Sequence, residues 1–99
     1  MDSLKETVRD VMTGYAREGL NSRSYLTHDD DNNILSVVTV PQDKNPSFMS
    51  LLVRIVAETV VIERDQNDKP LVDALIQAGV SRNQIVLAYM GETVPEAAV

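Results

Sequence analysis

The sequence predicts an α+β domain of two layers, in the order α-β-β-β-β-α-β, with a mainly antiparallel sheet and the helices packed on it. Three observations lead there. The N-terminal residues carry one apolar stripe at helical spacing. The middle holds β-branched runs joined by short polar links, the pattern of an antiparallel meander. A capped helical segment then separates the fourth run from Ile85-Val86-Leu87-Ala88-Tyr89, an almost uninterrupted apolar run that reads as a strand covered on both faces.

The elements follow in order. Ser3-Leu4-Lys5-Glu6 has the spacing of a capping box. Leu4, Val8, Val11, Met12 and Tyr15 fall on one helical face, with Gly14 inside the helix and Gly19 as its stop. Ser24 to His28 is a short polar run suited to a sheet edge. Asp29-Asp30-Asp31-Asn32-Asn33 is a turn, because Asp and Asn bond their own backbone and tolerate left-handed conformations. Ile34 to Val40 is the second strand, stopped by Pro41. Phe48 to Val56 is the third, and Ala57-Glu58 turns tightly into the fourth, Thr59 to Glu63.

The second helix runs from Lys69 to Ala78, with Asp68 as N-cap, Pro70 in the first turn and Gly79 as the stop. Leu71, Val72, Leu75 and Ile76 form its buried stripe. Ser81 to Gln84 makes one helical turn before the last strand. That strand could lie parallel beside the fourth or antiparallel beside the first. Residues 1–90 form a single domain and 91–99 a loose tail.

Val53, Ile55, Val61, Leu75, Ile85 and Leu87 are expected in one buried cluster. Leu52, Val56, Val60, Ile62, Val86 and Val38 then fall on the other sheet face, an apolar area larger than a monomer ordinarily exposes. Either the first helix covers that face, or self-association or a heteromer does; a homo-oligomer is the expectation. Met12, Met49 and Met90 read as core filler.

An apolar fraction of 43% and a charged fraction of 24% are ordinary for a globular chain. No cysteine is present, so disulfides and thiolate chemistry are excluded. The expected compartment is the cytoplasm, with neither secretory signal nor membrane segment. Nine basic against fifteen acidic residues give a net charge of -6. The deficit is spread evenly over both halves and no basic stripe appears, so direct nucleic-acid binding is not expected.

The most chemical-looking stretch is His28-Asp29-Asp30-Asp31, a candidate cation site. The same residues suit a solvated hairpin turn, which is the better reading. Glu58, Glu63, Asp65 and Asp68 form a second acidic group, read as structural because they flank strand ends and a helix start. The lone His28 finds no nucleophile and orienting partner by motif, and the glycines make no phosphate loop. No catalytic residue, metal or cofactor is assigned, and an enzyme is not expected.

The C-terminal stretch resembles the XisI family of fdxN element excision controlling factors. The likeness runs through Leu52-Val53-Arg54-Ile55 and Val60-Val61-Ile62-Glu63-Arg64-Asp65-Gln66-Asn67-Asp68. It continues through Leu71 to Val80 and Asn83 to Tyr89, and the opening helix with Tyr15 and Ala16 is similar. The family's middle Gly-Trp hairpin is replaced here by Pro41 to Ser47, and its basic, aromatic tail by Pro95-Glu96-Ala97-Ala98-Val99. The resemblance implies a non-enzymatic accessory protein controlling site-specific DNA excision through a XisH-like protein. The alternatives are a small metal-dependent enzyme using His28 and Asp29 to Asp31, or a general oligomeric protein-interaction domain.

Overall fold

A computed structural model describes residues 3–95. Helix α1 (Leu4–Thr13) leads into strands β1 (Ser22–Asp29), β2 (Ile34–Pro41), β3 (Phe48–Val56) and β4 (Thr59–Asp65). Helix α2 (Leu71–Gln77) and strand β5 (Ile85–Leu87) follow. One five-stranded sheet has the order β1-β2-β3-β4-β5. Its first four strands are antiparallel neighbours, and β5 lies parallel beside β4, which resolves the open position of the last strand. The fold is α+β, as the periodicities predict. Among the described residues no helix is long and apolar enough to cross a membrane.

Both helices lie on one face. Val8 and Met12 of α1 and Leu71 and Leu75 of α2 share a core with Leu35, Val37, Leu51, Val53, Val60, Ile62, Ile85 and Leu87. The first helix therefore does not cross to the other side, and the domain has two layers. Of the expected core, Val53, Leu75, Ile85 and Leu87 lie in this cluster, and Ile55 packs against it half-buried.

Val61 differs. It is fully buried but stands outside the cluster, opposite Arg54 and beside Val86, on the face without helices. Val60 and Ile62 are the helix-side residues instead. The cause is the hairpin: with Ala57-Glu58 as a two-residue turn, Ile55 must oppose Val60 and Val53 must oppose Ile62. A shift of one residue exchanges the faces. Ala57 accepts a left-handed φ of 53° to make that turn.

Element ends also move. Helix α1 begins as expected, with the Ser3 hydroxyl accepting from the Glu6 N–H, but stops at Thr13 with Gly14 as its cap. Gly19 lies beyond it, in the segment that runs back along the outer edge of β1. There Gly19 N–H donates to Ser22 O at 2.8 Å, and Ser24 N–H to Arg17 O at 3.0 Å.

Helix α2 is shorter than its apolar stripe, and Ile76 is 44% exposed. Its N-cap is Pro70, which offers no side-chain oxygen, and Asp68 lies exposed outside it. Asp65 replaces the missing cap, accepting from Leu71 N–H through Oδ2 at 2.7 Å. At the far end Gly79, at φ 100°, stops the helix. Val80 N–H bonds Leu75 O and Gly79 N–H bonds Ile76 O, a Schellman arrangement that turns Val80 into the core.

Strand β5 ends at Leu87, and a 3₁₀ turn follows over Ala88–Met90. A short edge strand has only one covered face, so Val86 is half-buried rather than enclosed. The first part of the tail is tied back: Glu92 accepts from Leu87 N–H at 2.9 Å and from Arg82 at 3.0 Å. Residues 96–99 lie outside the described residues.

Candidate interaction surface

The β1–β2 turn brings His28, Asp29, Asp30 and Asp31 close together but gives its carboxylates other work. Asp29 organises the turn. It accepts from the N–H groups of Asp31 and Asn32 and from the Asn32 side chain at 2.8 Å. Those bonds, the Asn32 side chain first, hold its carboxyl below the usual range.

Asp30 points back at α1. Its Oδ1 lies 3.1 Å from Lys5 Nζ, from Arg9 and from His28 Nδ1. Hydrogen bonding by Lys5, and less by His28, lowers its pKa. The turn is thus a fastener between hairpin and helix. Two cations of α1 already occupy the oxygen a metal would need. Among the described residues no three His, Cys, Asp or Glu side chains converge as a metal-holding group.

The second acidic group also separates. Glu63 bonds Arg54 Nε at 2.6 Å across the strands. Asp65 caps α2 and accepts from the Asn67 N–H and side-chain amide. Glu58 offers its backbone carbonyl to Gln84. Asp68 stays exposed. No two of these form a coupled carboxylate pair.

Between the helices, Val11, Gly14, Tyr15, Arg17, Lys69 and Ala74 line a groove of about 230 Å³. Tyr15 crosses it, donating its hydroxyl to Lys69 O at 3.0 Å. Burial first, and then the charges of Asp65 and Asp73, push the Tyr15 phenol up from its ordinary pKa. The groove falls short of the roughly 300–1,000 Å³ of small-molecule sites.

The larger feature is the sheet face without helices. Its pattern follows from the register. Thr27, Ser36, Leu52 and Arg64 form one row across β1 to β4. Tyr25, Val38 and Met49 form the next, and Arg23 pairs with Val40 beyond it. Tyr25 is 47% exposed, Val40 41% and Met49 37%, and Val38 and Leu52 are half-buried.

The β4–β5 half is more closed, because Val61 is already fully buried and the Arg54–Glu63 pair lies beside it. The exposed apolar residues of this face therefore differ from those expected. The face loses Val60 and Ile62 and gains Tyr25, Val40 and Met49. Met49 reads as core from composition. Its register partner Val38, on a strand whose neighbours Val37 and Thr39 point to the helices, is the signal that places it outside.

Comparison with known proteins agrees with the resemblance in the sequence. The family model described as XisI protein matches residues 1–97. A XisI-like protein from Anabaena variabilis ATCC 29413 is 20% identical, with 84% of this chain and 81% of that one covered and a TM-score of 0.72. The fdxN element excision controlling factor XisI from Anabaena variabilis ATCC 29413 is 17% identical, with 86% and 88% covered and a TM-score of 0.68. At such identities the likeness is one of fold. No curated protein is matched by the sequence. The match to the family model spans nearly the whole chain, and this protein belongs to the XisI family.

Proposed function

We propose that this chain is a non-enzymatic controlling subunit for excision of a DNA element, acting by binding a XisH-like protein. The observation that carries the reading is the XisI match over residues 1–97. The fold neighbour described as an fdxN element excision controlling factor supports it. Charge supports indirect action on DNA. At -6, with its cations scattered along the sequence and several of them held in ion pairs, the chain has little clustered positive charge with which to displace the counterions of a duplex.

Co-purification with a XisH-like protein of the same organism tests the reading. A stable complex is expected, and failure of the two purified proteins to bind at micromolar concentration would count against it. Two further measurements address the rivals. A mobility shift with duplex DNA should show no complex at submicromolar protein. Calorimetry with Mg²⁺, Mn²⁺ and Zn²⁺ should show no micromolar binding; such binding, lost in a His28→Ala, Asp30→Ala double variant, would favour the metal-dependent enzyme.

A further inference from the structure

We propose that the helix-free sheet face, at the row Tyr25–Val38–Met49 with Val40 and Leu52 beside it, is where a protein partner docks through an apolar segment flanked by carboxylates. The inference rests on the reading of this chain as a partner-binding subunit and adds where the partner sits and what its contact must look like.

Three observations carry it. The first is that the row is apolar and exposed where a finished face would be polar. In an antiparallel sheet with one solvated face, outward positions are ordinarily polar. Here Tyr25, Val40 and Met49 keep 47%, 41% and 37% of their surface in water, side by side across three strands.

The second is composition. Tyrosine, methionine and arginine are the residues enriched at the centres of protein interfaces. Tyr25 stands beneath Arg23, whose guanidinium carbon is 5.5 Å from the ring centroid.

The third is charge. In a chain of net charge -6, the charged residues in the two flanking rows are both arginines, Arg23 and Arg64. Arg23 pairs with Val40 in the ladder, and Arg64 pairs with Leu52. Arg64 donates Nε to Met49 O at 2.8 Å and forms no ion pair among the described residues. Its terminal nitrogens remain available to a carboxylate.

Arg23 holds Glu18 at 3.0 Å, but both side chains are more than half exposed, so that pair is readily exchanged. The other carboxylates on this face, among the strand residues, are Glu63, committed to Arg54, and Asp29, at the far end of β1 and turned into its own loop.

Charge also selects against a second copy. A two-fold contact of this patch with itself would set Arg23 and Arg64 against the same two arginines. Three strands about 4.8 Å apart and about 20 Å long give a footprint of roughly 300 Å². That is well below the roughly 800 Å² per partner of a standard interface, so the contact is of the reversible kind.

The test uses purified full-length chain and the XisH-like protein as probe, with affinity measured by calorimetry at low and at physiological salt. Val40→Asp and Arg23→Glu should each weaken binding at least about tenfold. Ile76→Asp, on the exposed side of α2, should leave it unchanged. Unfolding midpoints of all variants are compared first, and Tyr25→Ser replaces Val40→Asp if that variant is unstable.

No binding by the unaltered chain overturns the partner reading itself. Binding unaffected by Val40→Asp, or weakened equally by Ile76→Asp, overturns only the surface. Affinity that rises with salt would refute the charged rim. Sedimentation of the chain alone decides the occupant: a dimer abolished by Val40→Asp would give the face to a second copy.

Discussion

Asp65 is the last residue of β4 and the anchor of α2, and replacing it with alanine removes both roles at once. Its Oδ2 accepts the Leu71 N–H at 2.7 Å, and its Oδ1 accepts the Asn67 N–H at 3.0 Å and the Asn67 amide at 2.9 Å. Loss of an N-cap acceptor costs about 1 kcal/mol. Charge-assisted bonds to the preceding loop are worth more than neutral ones, but bonds sharing one carboxylate do not add fully. A total of about 2–3 kcal/mol is reasonable on those grounds.

Helix α2 has only seven residues and cannot persist by propensity alone, so the loss falls on the whole domain. With a urea slope of about 1.5 kcal/mol/M, the midpoint should drop by roughly 1.3–2 M. Asp65→Asn retains one oxygen, which can still accept from Leu71, and should cost about 1 kcal/mol. Urea unfolding followed by far-ultraviolet circular dichroism reads both. An Asp65→Ala loss below about 0.5 kcal/mol, or an asparagine variant as weak as the alanine one, would refute the account of Asp65 as the cap.

Leu75 is fully buried at the centre of α2, and Leu75→Ala should cost about 2–5 kcal/mol, measured in the same urea titration. Tyr15→Phe removes the hydroxyl that ties the segment just after α1 to Lys69 and should cost about 0.5–1.5 kcal/mol, with little change in spectrum. Acid should destabilise the domain through Asp29, Asp30 and Glu92, whose folded pKa values are all lowered, Glu92 first by the Leu87 N–H bond and then by Arg82. A depressed folded pKa contributes stability above the unfolded value of about 4 and loses it as pH falls through the folded value. Urea midpoints should therefore be level from pH 7 to 5 and fall below about pH 4, and Glu92→Gln should make that fall shallower.

The order of elements was legible because each rests on neighbours in sequence. Ser3 and Glu6 start a helix wherever they stand, and Asp29 to Asn33 make a turn from their own side chains. What failed depended on distant partners. Asp68 has the right chemistry for a cap, but Pro70 holds the chain extended and the acceptor arrives from the end of β4. Val61 reads as a helix-side residue by its apolarity, although the two-residue turn at Ala57-Glu58 already fixes Val60 there. The parity was available in the sequence and required carrying the hairpin register across. The place of β5 was not available, since both strand neighbours satisfy the same apolar run. At the surface, His28 and its aspartates stand out by residue type, whereas the row at Tyr25, Val38 and Met49 emerges only when three strands are set side by side.

The two edges of the sheet bear on how this chain behaves when crowded, as on a ribosome or at high expression. An open strand edge is a template for another chain. Strand β5 offers only three residues before the 3₁₀ turn carries the backbone away, too short a run to hold an added strand. Strand β1 is eight residues long, but Arg17 and Gly19 already occupy the main-chain groups at Ser24 and Ser22. The stretch that remains outward, at Leu26 and His28, runs directly into Asp29, Asp30 and Asp31. A second β1 laid parallel and in register against it would set Asp29 and Asp31 of one copy beside those of the other, so like-charge repulsion opposes that pairing along the length of edge that hydrogen bonding leaves open.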